Sequence, residues 1–346
     1  MEEELRNLIK VWIYALISIC YCYFISSRIS KGVLRLLSIL PILIIFLLLP
    51  PLFLSSAHFC LVSAFFLSWL ANFKLLLFAF DQGPLCPLPP NLSRFICFAC
   101  LPIKIRQYPS PNASANLHRK NEPMPKWVLA VKVLVFGVLL HVYEYRDSLP
   151  RFVVLCMYCL HLYLEVELVL IFVGAVVSTL LGCDMEPAFN EPYLATSLQD
   201  FWSRRWNLMV SAVLRSTVHM PVQRSFKSLL SSNWAMFAGV MASFFISGLM
   251  HELLYFYAIR VPPTWEVTCF FVLHGAATAT EMAVKRKLQL RAPHRAVSGL
   301  VVLVFVSVTG VWLFLAQVLR NNLHEKAISE CLLVVDIAKR KLFTSS

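Results

Sequence analysis

Charged side chains are scarce in this sequence. They make up 14% of its 346 residues, whereas 59% are hydrophobic and the mean hydropathy is +0.70. A soluble globular protein is closer to half apolar and a quarter charged. Because the apolar runs are spread along the whole chain, we predict one polytopic membrane domain, 1–346, and not several soluble domains.

Several motifs that would indicate other chemistry are absent. No G-x-x-x-x-G-K-[ST] or G-x-G-x-x-G occurs, so nucleotide-driven chemistry has no support. Neighbouring histidines, such as His141 and His161, are at least 20 residues apart, which excludes H-E-x-x-H zinc sites and short histidine clusters. The 11 cysteines lie mostly in apolar runs, where they are expected to pack as small apolar residues. We expect no metal and no cofactor.

The net charge of +12, from 31 basic and 19 acidic residues, would suit a nucleic-acid partner. The basic residues, however, stand between the apolar runs, where the positive-inside rule of membrane topology accounts for them. We therefore exclude nucleic acid and predict a lumenal N-terminus. The predicted cytosolic loops are 28–35, 81–126, 182–232 and 285–295, so the sequons at Asn91 and Asn112 should escape glycosylation.

Eight apolar runs are long enough to cross a bilayer as helices, so we predict an all-α fold with about eight spans. The predicted spans are 11–25, 36–54, 58–80, 127–142, 152–181, 233–259, 265–284 and 297–319. Segments 95–105, 208–230 and 328–337 are too short or too interrupted by charge, which favours interfacial or half-inserted helices. The chain then divides into N-terminal spans (11–80), a loop (81–126), a core (127–319) and a tail (320–346).

The sixth span carries a polar stripe. Ser243, Ser247, His251 and Tyr255 recur every four residues and therefore share one helix face. An ionisable side chain inside a span is costly and usually faces a cavity or a partner. We predict that this stripe lines a tunnel and that Phe244 packs on another face; a packing role for the histidine is the alternative.

The fifth span adds three ionisable side chains. Glu165 follows His161 by one helical turn, so the two can pair, and Glu167 lies nearby. A buried internal pair and a substrate-facing role are both open for these residues.

The segment PYLATSLQDFWSRRWN at 192–207 combines aromatic, basic and amide side chains, which alone would suit an aromatic belt with anchoring charges. Together with SGLMHELLYFY at 247–257 it resembles the membrane-bound O-acyltransferase superfamily, most closely the plant wax synthase group, the long-chain-alcohol O-fatty-acyltransferases, with the plant sterol acyltransferases alongside. WLANFKLLLFAF at 69–80 and LPIKI at 101–105 extend the resemblance over nearly the whole chain. Ser203 and Ser216 depart from the Gly and Pro usual there.

This resemblance implies an enzyme of the endoplasmic reticulum, with its catalytic core at 127–319, that joins a fatty acyl group from acyl-CoA to a lipid hydroxyl. It assigns the general base to His251 and a supporting role near the thioester to Asn207. Both residue types suit these tasks. A neutral imidazole can accept the hydroxyl proton, and an amide N–H can stabilise the developing oxyanion.

The implied co-substrate is long-chain acyl-CoA, a polyanion that suits arginines on the cytosolic side. The implied acceptor is a long-chain fatty alcohol, and the bilayer surrounds the protein. The candidate substrate-binding residues are Trp202, Arg204, Arg205, Trp206, Ser247, Tyr255 and Glu167. Direct attack by the alcohol is simpler here than an acyl-enzyme on Ser247.

Other functions remain open at this point. Sterol and diacylglycerol acceptors differ from fatty alcohols in the pocket shape that they need. A transporter would also hold ionisable groups in its spans, although no internal repeat of the usual transporter kind is visible. A non-catalytic lipid-binding relative should lack His251 or Asn207.

The two candidate catalytic residues lie on separate elements. Asn207 ends a cytosolic segment, whereas His251 lies about 27 Å along its span, at about 1.5 Å per residue. For the two to meet, either a funnel must enter the membrane or segment 205–230 must dip into the bundle.

Overall fold

The computed structural model describes residues 2–104, 125–288 and 294–344, which form helices joined by short connections, with no strand among them. The helices are α1 (Glu2–Phe24), α2 (Val33–Phe53), α3 (Ala57–Ala79), α4 (Leu92–Cys100), α5 (Lys126–Val142), α6 (Arg151–Leu181), α7 (Leu198–Arg204), α8 (208–226), α9 (Ser232–Ile259), α10 (Glu266–Leu288), α11 (Arg295–Phe314), α12 (Ala316–Arg320) and α13 (Leu323–Thr344). Eight of them, α1, α2, α3, α5, α6, α9, α10 and α11, are long and apolar enough to cross a membrane. This confirms the all-α fold and the predicted number of spans. The sequon at Asn112 lies outside the described residues.

The bounds of two predicted spans need correction. The first helix begins at Glu2 and not at residue 11, because three glutamates in its first turn interact favourably with the positive end of the helix dipole. The last span was predicted to run to residue 319 without a break. Instead, α11 ends in wide π-helical turns at Gly310–Phe314, and the short helix α12 follows.

Helix α3 is the most buried span, with 72% of its apolar stretch inside the protein. Its interior polar groups are paired with α2. The hydroxyl of Ser68 donates to the carbonyl oxygen of Phe46 at 2.7 Å, and the amide of Asn72 donates to that of Leu43 at 3.1 Å. Such pairing removes the cost of polar groups in a dry interior, so α3 serves as a rigid central support.

Helix α8 dips into the bundle. Val210, Val213 and Leu214 are buried in the main apolar core. Farther along α8, His219 packs so closely on Gly239 of α9 that a Cβ there would lie 2.8 Å from the imidazole. Of the two arrangements left open by the sequence, this segment therefore adopts the inserted one, and it is not a span.

Helices α9 and α10 pack closely through two glycines. A Cβ on Gly248 would lie 2.8 Å from the Cα of Thr268, and one on Gly275 would lie 2.9 Å from the Cβ of Phe244. Only the absence of a side chain allows this approach. The polar stripe of α9 is therefore held in a fixed position against α10.

The segments predicted to be interfacial are packed against protein. In α4, Phe95 is fully buried and contacts the rings of Phe78 and Tyr23. The tail forms α13, which is longer than the predicted segment 328–337, and Ile328 packs in a cluster with Leu139. Glu330 of α13 accepts hydrogen bonds from the first backbone N–H groups of α3, a favourable site for an anion.

Candidate active site

A cavity of about 1000 Å³ lies within the helix bundle. His251 of α9 and Asn207, which precedes α8, both line it. The insertion of α8 brings the end of the 192–207 segment to the same cavity as the polar stripe. Ser243 and Ser247 also line it, as predicted, but so does Phe244, which was predicted on another face.

The imidazole of His251 has a defined tautomer. Its Nδ1 lies 2.7 Å from the carbonyl oxygen of Ser247, one turn earlier on α9. A carbonyl only accepts hydrogen bonds, so Nδ1 carries the hydrogen and donates. The other nitrogen, Nε2, is left with a lone pair, as a proton acceptor requires.

Aromatic rings surround His251. Phe271 stacks on it with ring centroids 4.5 Å apart, and Trp69 and Phe314 stand edge-on at 5.1 and 5.4 Å. The adjacent Glu252 does not assist, because its carboxylate accepts from the backbone N–H of Thr268 on α10. Among the described residues, no carboxylate hydrogen-bonds to His251, so a histidine–acid relay is absent from this part of the chain.

Asn207 is fixed by its backbone and by its side chain. Its φ of 36° lies in the left-handed region, which asparagine tolerates better than most residues. Its Oδ1 accepts a hydrogen bond from the backbone N–H of Val210 at 3.3 Å and so caps α8. Because the oxygen is used in the cap, the Nδ2 hydrogens of Asn207 are the ones that can serve a ligand.

Trp202 lines the cavity and is held by a buried relay that the sequence argument missed. Its indole N–H donates to Nδ1 of His274 at 3.1 Å. Nε2 of His274 lies 2.8 Å from the hydroxyl of Thr309, which in turn donates to the carbonyl oxygen of Phe305. His274 is fully buried within a span, and an ionisable side chain inside a span is the same signal that marks His251.

Arg204 and Arg205 differ in their surroundings. Arg204 lines the main cavity and also a smaller polar pocket of about 340 Å³ that Lys285 and Arg295 share. Arg205 lines only the smaller pocket, and its Nε donates to Asp200 at 2.7 Å. Arg205 also donates to two backbone carbonyls and so holds the 190–205 segment together, which favours a structural role over the predicted substrate contact.

The remaining predicted residues divide between the cavity and the helix packing. Trp206 lines the cavity and stacks on Phe201, and Tyr255 lines it while donating to the carbonyl oxygen of Phe314 at 3.0 Å. Glu167 lies elsewhere: it is buried against Lys132, with Oε1 and Nζ 2.6 Å apart, and it is not among the described residues that line the cavity. This placement corrects the predicted substrate contact of Glu167, because the pair joins α5 to α6.

A second group of polar residues, which we name the far cluster, consists of His58, His161, Glu165 and Glu330. Nε2 of His58 lies 2.7 Å from Glu165, and its Nδ1 lies 2.6 Å from Glu330. Nε2 of His161 lies 3.2 Å from Glu165, so the pair predicted across one helical turn is present. The first three residues line the cavity.

Comparison with known proteins agrees with this architecture. Residues 185–273, which include Asn207 and His251, match the membrane bound O-acyl transferase family. "Probable long-chain-alcohol O-fatty-acyltransferase 1" of Arabidopsis thaliana is 82% identical over the full length of both chains. "Probable long-chain-alcohol O-fatty-acyltransferase 2" and "Probable long-chain-alcohol O-fatty-acyltransferase 8" from the same organism are 66% and 52% identical, over at least 98% of each chain. The chain is thus an acyltransferase that belongs to the membrane bound O-acyl transferase family, in the group formed by these relatives.

Proposed function

We propose that the protein transfers a fatty acyl group from acyl-CoA to the hydroxyl of a long-chain fatty alcohol and so forms a wax ester. The observation that carries this proposal is the shared cavity of His251, with its lone pair at Nε2, and Asn207, with its amide hydrogens free. The names of the relatives favour the alcohol as acceptor.

The proposed reaction is a direct attack. Nε2 of His251 accepts the hydroxyl proton while the alcohol oxygen attacks the thioester carbonyl carbon. The amide of Asn207 donates to the oxygen that becomes negatively charged. When the tetrahedral intermediate collapses, the C–S bond breaks and the CoA thiolate takes the proton from the imidazolium. The products are an ester and CoA thiol.

Basic residues support acyl-CoA as the donor. Arg204 borders both the cavity and the smaller pocket, so one ligand can reach from the first into the second. Lys285 and Arg295 of that pocket suit the phosphates of CoA. The hydroxyl of Thr278 on the cavity wall has no partner among the described residues and suits an amide of the pantetheine arm. On the predicted topology this end of the cavity faces the cytosol.

The test supplies labelled acyl-CoA and a panel of fatty alcohols, sterols and diacylglycerol to the purified protein in lipid vesicles, and identifies the ester. We expect long-chain fatty alcohols to be the best acceptors. The matched control is His251→Ala, which should lower turnover by about 10²–10⁴-fold. Ester formation from sterol or diacylglycerol alone would show that the acceptor is one of these lipids and not a fatty alcohol. Solute flux without any acyl transfer would favour a transporter.

We also propose residence in the endoplasmic reticulum. Co-localisation of the tagged protein with a marker of that membrane tests this proposal. The same cells test the topology, because Asn91 and Asn112 should carry no glycan if loop 81–126 is cytosolic. A glycan at either residue would overturn the proposed orientation.

A further inference from the structure

The far cluster contains a histidine with one ring nitrogen left over. His161 is 6% exposed, and its Nε2 faces Glu165 at 3.2 Å, whereas its Nδ1 makes no hydrogen bond with the described residues. Phe136 and Tyr143 contact its ring, with centroids 5.2 and 5.6 Å away. Buried polar groups are nearly always hydrogen-bonded, and His161 lines the cavity. A polar group of a ligand in the cavity would supply what the protein does not.

The far cluster lies at a definite distance from the reacting groups. His58 and Trp69 are both on α3, and the ring of Trp69 contacts that of His251. At a rise of about 1.5 Å per residue, His58 and Trp69 are about 16 Å apart along α3. The part of α3 between them contributes an apolar wall to the cavity, formed by Leu61, Val62, Phe65 and Phe66. The wall that α3 contributes is therefore apolar between the polar groups at His58 and at His251.

A saturated chain advances about 1.3 Å per carbon, given C–C bonds of about 1.5 Å at tetrahedral angles. About 12 carbons would span the distance from His251 to the far cluster. We propose that the far cluster binds a second hydroxyl at the remote end of the acceptor, so that the enzyme esterifies α,ω-diols of this length. This inference rests on the proposed function.

A hydroxyl fits the chemistry of the far cluster. It both donates and accepts, and it meets the carboxylate of Glu165 as acceptor and an imidazole nitrogen of His161 as donor or acceptor. A carboxylate at the same place would face Glu165 and Glu330, and like charges at close range repel. A methyl end would leave Nδ1 of His161 without a hydrogen bond.

The test compares monoalcohols with α,ω-diols from 8 to 18 carbons, using acyl-CoA and the purified enzyme. The readout is the ratio of kcat/KM for each diol to that of the monoalcohol, corrected for the two equivalent hydroxyls of the diol. We expect a maximum near 12 carbons. At 8 carbons the second hydroxyl stops against the apolar wall of α3, and at 18 carbons the chain is too long to fit between His251 and the far cluster. In both cases the second hydroxyl misses its partners, which should lower the ratio by about 5- to 150-fold. A ratio that is low at every length would overturn the inference, while the monoalcohol rates report separately on the proposed function.

Two substitutions locate the effect. His161→Phe keeps a ring between Phe136 and Tyr143 but removes the hydrogen bond, so it should abolish the maximum in the ratio of diol to monoalcohol. His161→Gln should retain most of the diol preference. His141→Phe is the matched control, since His141 is exposed and outside the cavity wall. A maximum that survives in His161→Phe, or a preference for ω-hydroxylated acyl-CoA in place of diols, would refute the far cluster as the binding site of the second hydroxyl.

A separate observation concerns Trp69. This side chain is 1% exposed and lines the cavity beside His251, yet its indole N–H has no hydrogen-bond partner among the described residues. On the proposed mechanism we infer that this N–H donates to the thioester oxygen as it becomes an oxyanion, together with Asn207. Preorganised donors aimed at the developing charge are what stabilises such an oxyanion.

Trp69→Phe removes this donor and keeps an aromatic ring against His251. We expect kcat to fall by about 10²-fold with little change in the KM for acyl-CoA, because the donor acts mainly in the transition state. Trp312→Phe is the control, since Trp312 is 67% exposed. A kcat of Trp69→Phe within twofold of wild type would refute this role, and an unchanged unfolding temperature would separate lost catalysis from lost packing.

Discussion

Asn207 combines a helix cap with a proposed catalytic donor, and substitution can separate the two. Its Oδ1 caps α8, and its Nδ2 hydrogens are available to the cavity. Its backbone is left-handed, with a φ of 36°. Asparagine suits all three demands, so a change to another residue type shows which of them matters for turnover.

Three substitutions of Asn207 are expected to rank differently in stability and in activity. Asn207→Asp keeps the cap, because a carboxylate accepts as well as an amide oxygen does, but it donates nothing. Asn207→Gly relieves the left-handed backbone and costs the cap only a few tenths of a kcal/mol. Asn207→Ala loses about 1 kcal/mol for the cap and about 1–2 kcal/mol for the left-handed backbone. Stability should therefore fall substantially only in Asn207→Ala.

Activity should follow the other task. All three variants lose the donor, so each should lower kcat by about 10²–10³-fold while the KM for acyl-CoA changes little. The assay measures ester formation at saturating alcohol, alongside the unfolding temperature of each purified variant. If activity followed stability instead, with Asn207→Gly near wild type and Asn207→Ala inactive, Asn207 would be a helix cap and its catalytic role would be refuted.

Three further predictions address the surrounding residues. Ser247→Ala should lower kcat by less than about 10-fold, because only the backbone carbonyl of Ser247 contacts His251; an acyl-enzyme trapped on Ser247 would contradict direct attack. His274→Phe should lower kcat by about 10-fold, because the indole of Trp202 loses its hydrogen-bond acceptor and shifts. In the same ester assay His274→Gln should recover part of the loss. Full activity of His274→Phe would show that Trp202 does not need this hydrogen bond. Burial raises the pKa of Glu330 on α13, but hydrogen bonds from His58 and the start of α3 outweigh this and hold the pKa at about 2. This contribution to stability is therefore present above about pH 4.5 and is lost as the pH falls toward 2. Glu330→Gln should lower the unfolding temperature at pH 7 and make it depend less on acid, and an unfolding temperature that follows the wild type at every pH would contradict this.

The fold could be predicted because membrane spans are governed by length and hydropathy. The number of spans and the non-spanning character of α8 followed from where apolar runs end and charges interrupt them. The start of α1 and the extent of α13 did not follow, because a polar helical turn looks like a loop in hydropathy. What stabilises these turns is a dipole interaction in α1 and packing on α5 in α13.

The candidate site could be predicted only in part. The four-residue period placed Ser247, His251 and Tyr255 on one face, and all three line the cavity. Partners from distant parts of the chain leave no local pattern, so neither the His274–Trp202 hydrogen bond nor the contact of Trp69 with His251 was foreseen. Glu167 shows the opposite error, because a buried carboxylate looks functional until its cation, Lys132, is placed beside it.

If His251 is the base, as proposed, the enzyme must also protect its thioester from water. Neutral imidazole activates water as readily as an alcohol, and hydrolysis would then waste the acyl donor. The rings of Trp69, Phe271 and Phe314 around His251 leave little polar surface to hold water there. On the proposed mechanism, a long-chain alcohol places its hydroxyl at Nε2 while its chain lies along the apolar wall of α3. Replacement of Phe314 by a small polar residue, as in Phe314→Ser, should therefore raise the ratio of free fatty acid to ester among the products, and an unchanged ratio would show that water is excluded by some other means.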